Sequence, residues 1–152
     1  SAFNVGTIFR TADGFAAEEL LLAGITPGPE NTKVQKTSMG AWNYVPSSRE
    51  ESTVGALRRL KASGYTIYAL ETVEGSMPVF SCTLEFPLAI LLGNEEFGVL
   101  EDSLELADHI LRIPMYGKKN SFNVGVSFGM VLFEARRQWQ LRSGACSSGT
   151  DG

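Results

Sequence analysis

A chain of 152 residues with 43% hydrophobic and 20% charged residues has the make-up of one globular domain, able to bury roughly two-thirds of the surface its unfolded form exposes. No apolar run approaches the ~20 residues that span a bilayer, and a net charge of -4 excludes nucleic-acid binding through overall charge alone. Cys82 and Cys146 stand far apart without Cys-x-x-Cys spacing, and no charged-then-apolar leader is visible, so the reading is cytoplasmic with both thiols reduced.

In chain order, Val5, Ile8, Phe9 and Ala12 follow the spacing of one helix face, which predicts a helix ending near Gly14. Residues 19–25 read as a buried strand. Residues 26–48 hold three prolines and two glycines and read as loop, with one short helix over 34–42. Residues 50–63 predict a helix with Val54, Leu57 and Leu60 inward and Arg58, Arg59 and Lys61 mostly outward. Strands are expected over 65–70, 88–92 and 109–113. A last helix over 122–141 carries Val124, Val126, Phe128, Met130, Val131 and Phe133, apolar nearly all round, so burial on more than one side is expected. Residues 1–142 form the expected domain, and the small polar residues 143–152 an expected tail. Strands alternating with helices predict an α/β fold with a mainly parallel sheet covered on both faces.

Local positive charge is found at Lys33 with Lys36, at Arg58, Arg59 and Lys61, at Lys118 with Lys119, and at Arg136, Arg137 and Arg142. Each cluster taken alone reads as solvated surface. The single histidine, His109, begins a strand and reads as structural. With no Cys or His partners near it, a metal site has no support. Trp42, Tyr44 and Trp139 could stack on bases, although core or interface packing is their more frequent use.

Ligands of open α/β sheets bind beyond the carboxyl ends of the strands, so the loop leaving each strand is where chemistry is expected. After Leu70 comes Glu71-Thr72-Val73-Glu74-Gly75. After Leu92 comes Gly93-Asn94-Glu95-Glu96-Phe97-Gly98. After Ile113 comes Pro114-Met115-Tyr116-Gly117-Lys118-Lys119-Asn120-Ser121-Phe122-Asn123. The glycines at 93 and 98 would allow a ligand close to the backbone, whereas Glu95 and Glu96 would repel a phosphate. Val99 and Leu100 stand where a phosphate-binding loop needs Lys and Ser or Thr, and no G-x-G-x-x-G occurs.

Three segments together resemble the SpoU family of the SPOUT class of RNA methyltransferases. Asn4-Val5-Gly6-Thr7-Ile8-Phe9-Arg10-Thr11-Ala12-Asp13 is similar to the family's first motif, with Arg six positions after Asn. Leu91 through Gly98 resembles the second. Ile113-Pro114-Met115-Tyr116-Gly117 with Ser121-Phe122-Asn123-Val124-Gly125-Val126 resembles the third. The resemblance implies a C-terminal trefoil knot, a homodimer, and transfer of a methyl group from S-adenosylmethionine to a ribose 2'-hydroxyl of tRNA or rRNA. It implies cofactor contacts at Leu70, Gly93, Asn94, Ile113, Met115, Phe122 and Val124, largely through main-chain atoms. It implies a catalytic set of Asn4, Arg10, Glu95, Ser121 and Asn123, with Arg10 near the target ribose and supplied by the partner copy. Ser121 could instead cap the final helix, and Glu95 could be a direct ligand or could organise loop amides and Ser121. Family members normally carry a strand before the first motif, and the sequence opens three residues ahead of Asn4, so that strand is expected to be missing. A knotted protein that binds RNA or S-adenosylmethionine without catalysis, and a nucleotide-binding α/β protein, are the competing readings.

Overall fold

The computed structural model describes residues 1–144. Cys146 and all but the first two residues of the expected tail lie outside them. Helix α1 (Ala2–Gly14) opens where the Ser1 hydroxyl oxygen accepts a hydrogen bond from the Asn4 amide at 3.3 Å. Its face of Val5, Phe9 and Ala12 is buried, at the i, i+4, i+7 spacing the sequence predicts. Strand β1 (Leu20–Ala23) comes next, then α2 (Thr32–Thr37), capped by Asn31, and a single 3-10 turn over Ala41–Asn43. Strand β2 (Ser47–Glu50) leads to α3 (Thr53–Ala62), which Ser52 caps through Gly55 N at 3.0 Å. Strands β3 (Thr66–Leu70), β4 (Met77–Pro78) and β5 (Leu88–Leu92) precede α4 (Glu101–Leu106), β6 (His109–Arg112) and the long α5 (Val124–Arg142).

Every strand pairing is parallel, as the alternation of elements predicts. The strands lie in two sheets: β1 pairs with β2, and a four-stranded sheet has the order β4-β6-β3-β5. A cavity of about 1170 Å³ separates them, lined by the edges of β1 and β5 and by faces of α1 and α3. Each of those edge strands has one neighbour only, so each leaves a row of unpaired backbone groups. Two strands and one helix have no counterpart in the expectations. Strand β2 is Ser-Ser-Arg-Glu, with no apolar alternation, and exists through its ladder with β1. Strand β4 has two residues, and α4 has only six.

Two clusters make the core. The first joins Val5, Phe9 and Ala12 of α1 to Leu22, Val34, Val45 and Phe128; the second joins Tyr68, Leu84 and Leu111 to Val131 and Ala135. Full burial of a side chain such as Phe9 stabilises by about 1.5–3 kcal/mol. Helix α5 thus bridges both clusters, but the expectation of burial nearly all round is corrected. Val126, Met130 and Phe133 are 49%, 37% and 64% exposed and leave an apolar stripe open. Among the described residues no helix is long and apolar enough to cross a membrane.

Candidate functional site

Strands β3, β5 and β6 lie side by side with their carboxyl ends in register, Leu70 opposite both Leu92 and Leu111. The three loops that leave them therefore start together. A cleft of about 60 Å³ opens at this point, walled by Leu70 and Glu71, by Arg112 and Ile113, and by Ser121 and Phe122.

The loop after β5 is closed on itself. Asn94 N donates to Gly98 O at 3.0 Å and Gly98 N to Asn94 O at 2.8 Å, while the Asn94 side-chain oxygen accepts from Glu96 N at 2.7 Å and Phe97 N at 3.2 Å. A Cβ on Gly93 would lie 2.3 Å from the Gly98 carbonyl carbon. The room that glycine leaves at 93 is thus taken up by the loop's own backbone, a use the sequence did not separate from close approach of a ligand.

A chain of hydrogen bonds ties this loop to the two helices that flank it. Asn4 Nδ2 donates to Glu95 Oε1 at 2.7 Å, and Asn123 Nδ2 donates to Asn4 Oδ1 at 3.0 Å. Asn123 Oδ1 accepts from Gly125 N at 2.9 Å and Val126 N at 3.3 Å and so caps α5. Asn4 is 7% exposed, and its amide is satisfied on both sides by this chain. Hydrogen bonds from the Ser1 backbone nitrogen first, and then from the Asn4 amide, hold the Glu95 carboxyl below the usual range.

The predicted residues divide. Asn4, Glu95 and Asn123 are joined. Leu70, Ile113, Ser121 and Phe122 wall the cleft, whereas Gly93, Asn94 and Val124 border the larger cavity, and Met115 borders neither. Asn123 is the helix cap, which corrects the alternative that gave Ser121 that place, and Glu95 bonds to Asn4 rather than to Ser121. Arg10 stands exposed on α1 without a polar side-chain contact among the described residues. Glu71 and Arg112, which wall the cleft, were given no role by the sequence. The signal available for Glu71 was its position directly after a strand.

His109 stacks on Tyr68 with ring centres 5.3 Å apart, a packing role. Trp42 packs against the first core cluster, Trp139 meets Phe86 edge-on at 5.1 Å, and Tyr44 is 78% exposed. Several basic side chains are engaged within the fold: Arg59 with Glu50, Lys61 with Asp108, Arg137 with Glu134, and Arg136 and Arg142 on backbone carbonyls. Lys33, Lys36, Arg58, Lys118 and Lys119 are exposed. No group of three or more His, Cys, Asp or Glu side chains suited to a metal ion occurs among the described residues.

Residues 1–133 match the model of the SpoU rRNA Methylase family. The chain is 35% identical over 141 residues to the tRNA (guanosine(18)-2'-O)-methyltransferase of Thermus thermophilus, covering 93% of this chain and 71% of that protein. It is 34% identical over 140 residues to the 23S rRNA (guanosine-2'-O-)-methyltransferase RlmB of Neisseria meningitidis, covering 92% and 56%. Among solved structures, an AdoMet-bound rRNA methyltransferase from Sinorhizobium meliloti superposes with a TM-score of 0.84 at 32% identity, over 90% of this chain and 52% of that one. The SpoU methyltransferase AviRb of Streptomyces viridochromogenes, in complex with AdoMet, gives 0.83 at 28% identity, over 91% and 56%. The chain thus spans little more than half the length of several of the proteins it matches.

Proposed function

Because the chain belongs to the SpoU rRNA methylase family, we propose that it transfers a methyl group from S-adenosylmethionine to a ribose 2'-hydroxyl of tRNA or rRNA. The observation that carries this reading is the convergence of the loops after β3 and β6 on one cleft, with the Glu95–Asn4–Asn123 chain holding the loop after β5 beside them.

The residues present fit the cofactor chemically. Leu70, Ile113 and Phe122 offer apolar walls for an adenine ring, and the Glu71 carboxylate in the same cleft suits a cation rather than a phosphate. A ligand of this size needs several hundred Å³, so the cleft as it stands takes only part of it. The exposed loop of residues 116–121 is the wall with room to shift. When bound, S-adenosylmethionine supplies an electrophilic methyl group on a sulfonium.

The chain's own part is alignment. Holding two reactants in near-attack geometry can supply roughly 7–11 kcal/mol of barrier reduction. The Glu95–Asn4–Asn123 chain fixes the loop after β5, the start of α1 and the start of α5 relative to one another. Arg10 binds the phosphate beside the target ribose and stabilises the developing alkoxide. A phosphate oxygen or water takes the hydroxyl proton, because a guanidinium is not a proton acceptor at neutral pH.

Arg10 reaches no group of its own cleft, which supports a homodimer in which each copy supplies Arg10 to the other. The open stripe of Val126, Met130 and Phe133 on α5 is the surface assigned to that partner. The same reading includes a C-terminal knot, a cytoplasmic location, and a further strand, ahead of Asn4, that pairs with the free edges of β1 and β5.

The test is transfer of radiolabelled methyl from S-adenosylmethionine to unmodified tRNA and rRNA transcripts, read as alkali-resistant dinucleotides. Activity is expected in the native chain, with Arg10→Ala reduced at least a hundredfold and its cofactor affinity within about twofold of native. Full turnover by Arg10→Ala would remove the role given to this residue.

A further inference from the structure

We propose that Glu71 is a positioning residue that locks the loop after β5 into its cofactor-binding form, a role that rests on the methyltransferase reading above. Glu71 is the first residue beyond β3, at the place where three strands end. Its backbone N–H donates to Leu111 O of β6 at 3.0 Å. Its carboxylate Oε2 accepts from Val99 N, at the far end of the loop after β5, at 3.0 Å, and Oε1 accepts from Thr72 N at 3.0 Å. One residue thereby joins the carboxyl ends of β3 and β6, whose loops wall the cleft, to the far end of the loop after β5, and its side chain is itself part of the cleft wall.

The approach of the carboxylate is built into the neighbouring backbone. Gly98 has φ +68, a conformation that side chains rarely adopt, and a Cβ there would lie 2.4 Å from Glu71 Oε2. The loop closes internally through Asn94 and Gly98, but those bonds fix only its shape. The placement of the whole turn beside the cleft depends on two further contacts: Glu95 to Asn4 on one side and Val99 to Glu71 on the other. A carboxylate is the group suited to the second contact, because it accepts from two N–H groups at once through separate oxygens. A glutamine of the same size has one acceptor oxygen and would set an NH2 against the second donor.

The experiment uses the chain with Glu71→Gln and, separately, Glu71→Ala, with S-adenosylhomocysteine as the probe in calorimetry and 15N-labelled protein for the Val99 amide. Without ligand, the Val99 amide proton is expected to move upfield in both variants while the thermal midpoint stays within about 2 °C of native. Affinity for S-adenosylhomocysteine is expected to fall about tenfold in Glu71→Gln and further in Glu71→Ala. A general structural role would lower the midpoint together with the affinity; the proposal requires them to separate. Native affinity in both variants, or a Val99 resonance that does not move, would overturn the proposal and leave the methyltransferase reading intact. Failure of the native chain itself to bind S-adenosylhomocysteine would overturn both.

Discussion

Among the motif residues, Gly6 has the most direct physical explanation. It lies on the buried face of α1, where a Cβ would fall 1.7 Å from Thr37 Oγ1 and 3.0 Å from Ser38 N, so the helix can approach α2 only with glycine at this place. Gly6→Ala is expected to lower the unfolding free energy by about 1–3 kcal/mol in urea titrations, the range for overfilling a packed contact. An unchanged midpoint would mean that α2 yields. Glu95 makes a prediction about acid. Its folded carboxyl is held below an ordinary 4.5, so the stabilisation it contributes is present above pH 4.5 and is lost as the pH falls through the lowered folded value. The side chain is 41% exposed, so solvent screening keeps the effect small. Asn4→Ala removes the second cause and is expected to move the Glu95 midpoint upward in a carbon-detected NMR titration; an unmoved midpoint would show that the amide adds nothing. Asn4 and Asn123 could be picked out as site residues from motif spacing, but their bond to each other joins positions 119 apart in sequence and only the fold reveals it.

Among the elements, the apolar spacing of α1, the apolar run of β5 and the extent of α5 were legible because each carries a local signal, whereas the α5 cap was placed at Ser121 and is Asn123. Strand β2 was not. Its residues are polar, and only the ladder to β1 makes them a strand. Burial of α5 was overestimated for a related reason, since an all-apolar helix does not say which of its faces meets the same chain. Gly125 and Gly129 of α5 meet Thr7 and Thr11 of α1, and the open stripe begins one residue on, at Val126 and Met130. Met130→Glu with Phe133→Glu is therefore expected to convert a dimer to a monomer in sedimentation velocity with an unchanged far-ultraviolet spectrum. A native chain already monomeric at micromolar concentration would contradict the use given to this face. The strand-wide gap between β1 and β5 has no signal of its own, because hydropathy reports that both are apolar without reporting whether they touch.

At the scale of the molecule, alternating strands and helices gave the parallel α/β architecture, and three motifs in order gave the family. Neither gave the contacts that organise the cleft. The tie from Glu71 to Val99 and the chain from Glu95 through Asn4 to Asn123 are side-chain choices with no period in the sequence. The sulfonium-donor site proposed above is shaped by apolar walls and the Glu71 carboxylate. The most direct measurement is a pair of calorimetric titrations of the chain, one with S-adenosylhomocysteine and one with ATP. Saturable micromolar binding of the first and none of the second is the expected result; binding of ATP without S-adenosylhomocysteine would contradict the account.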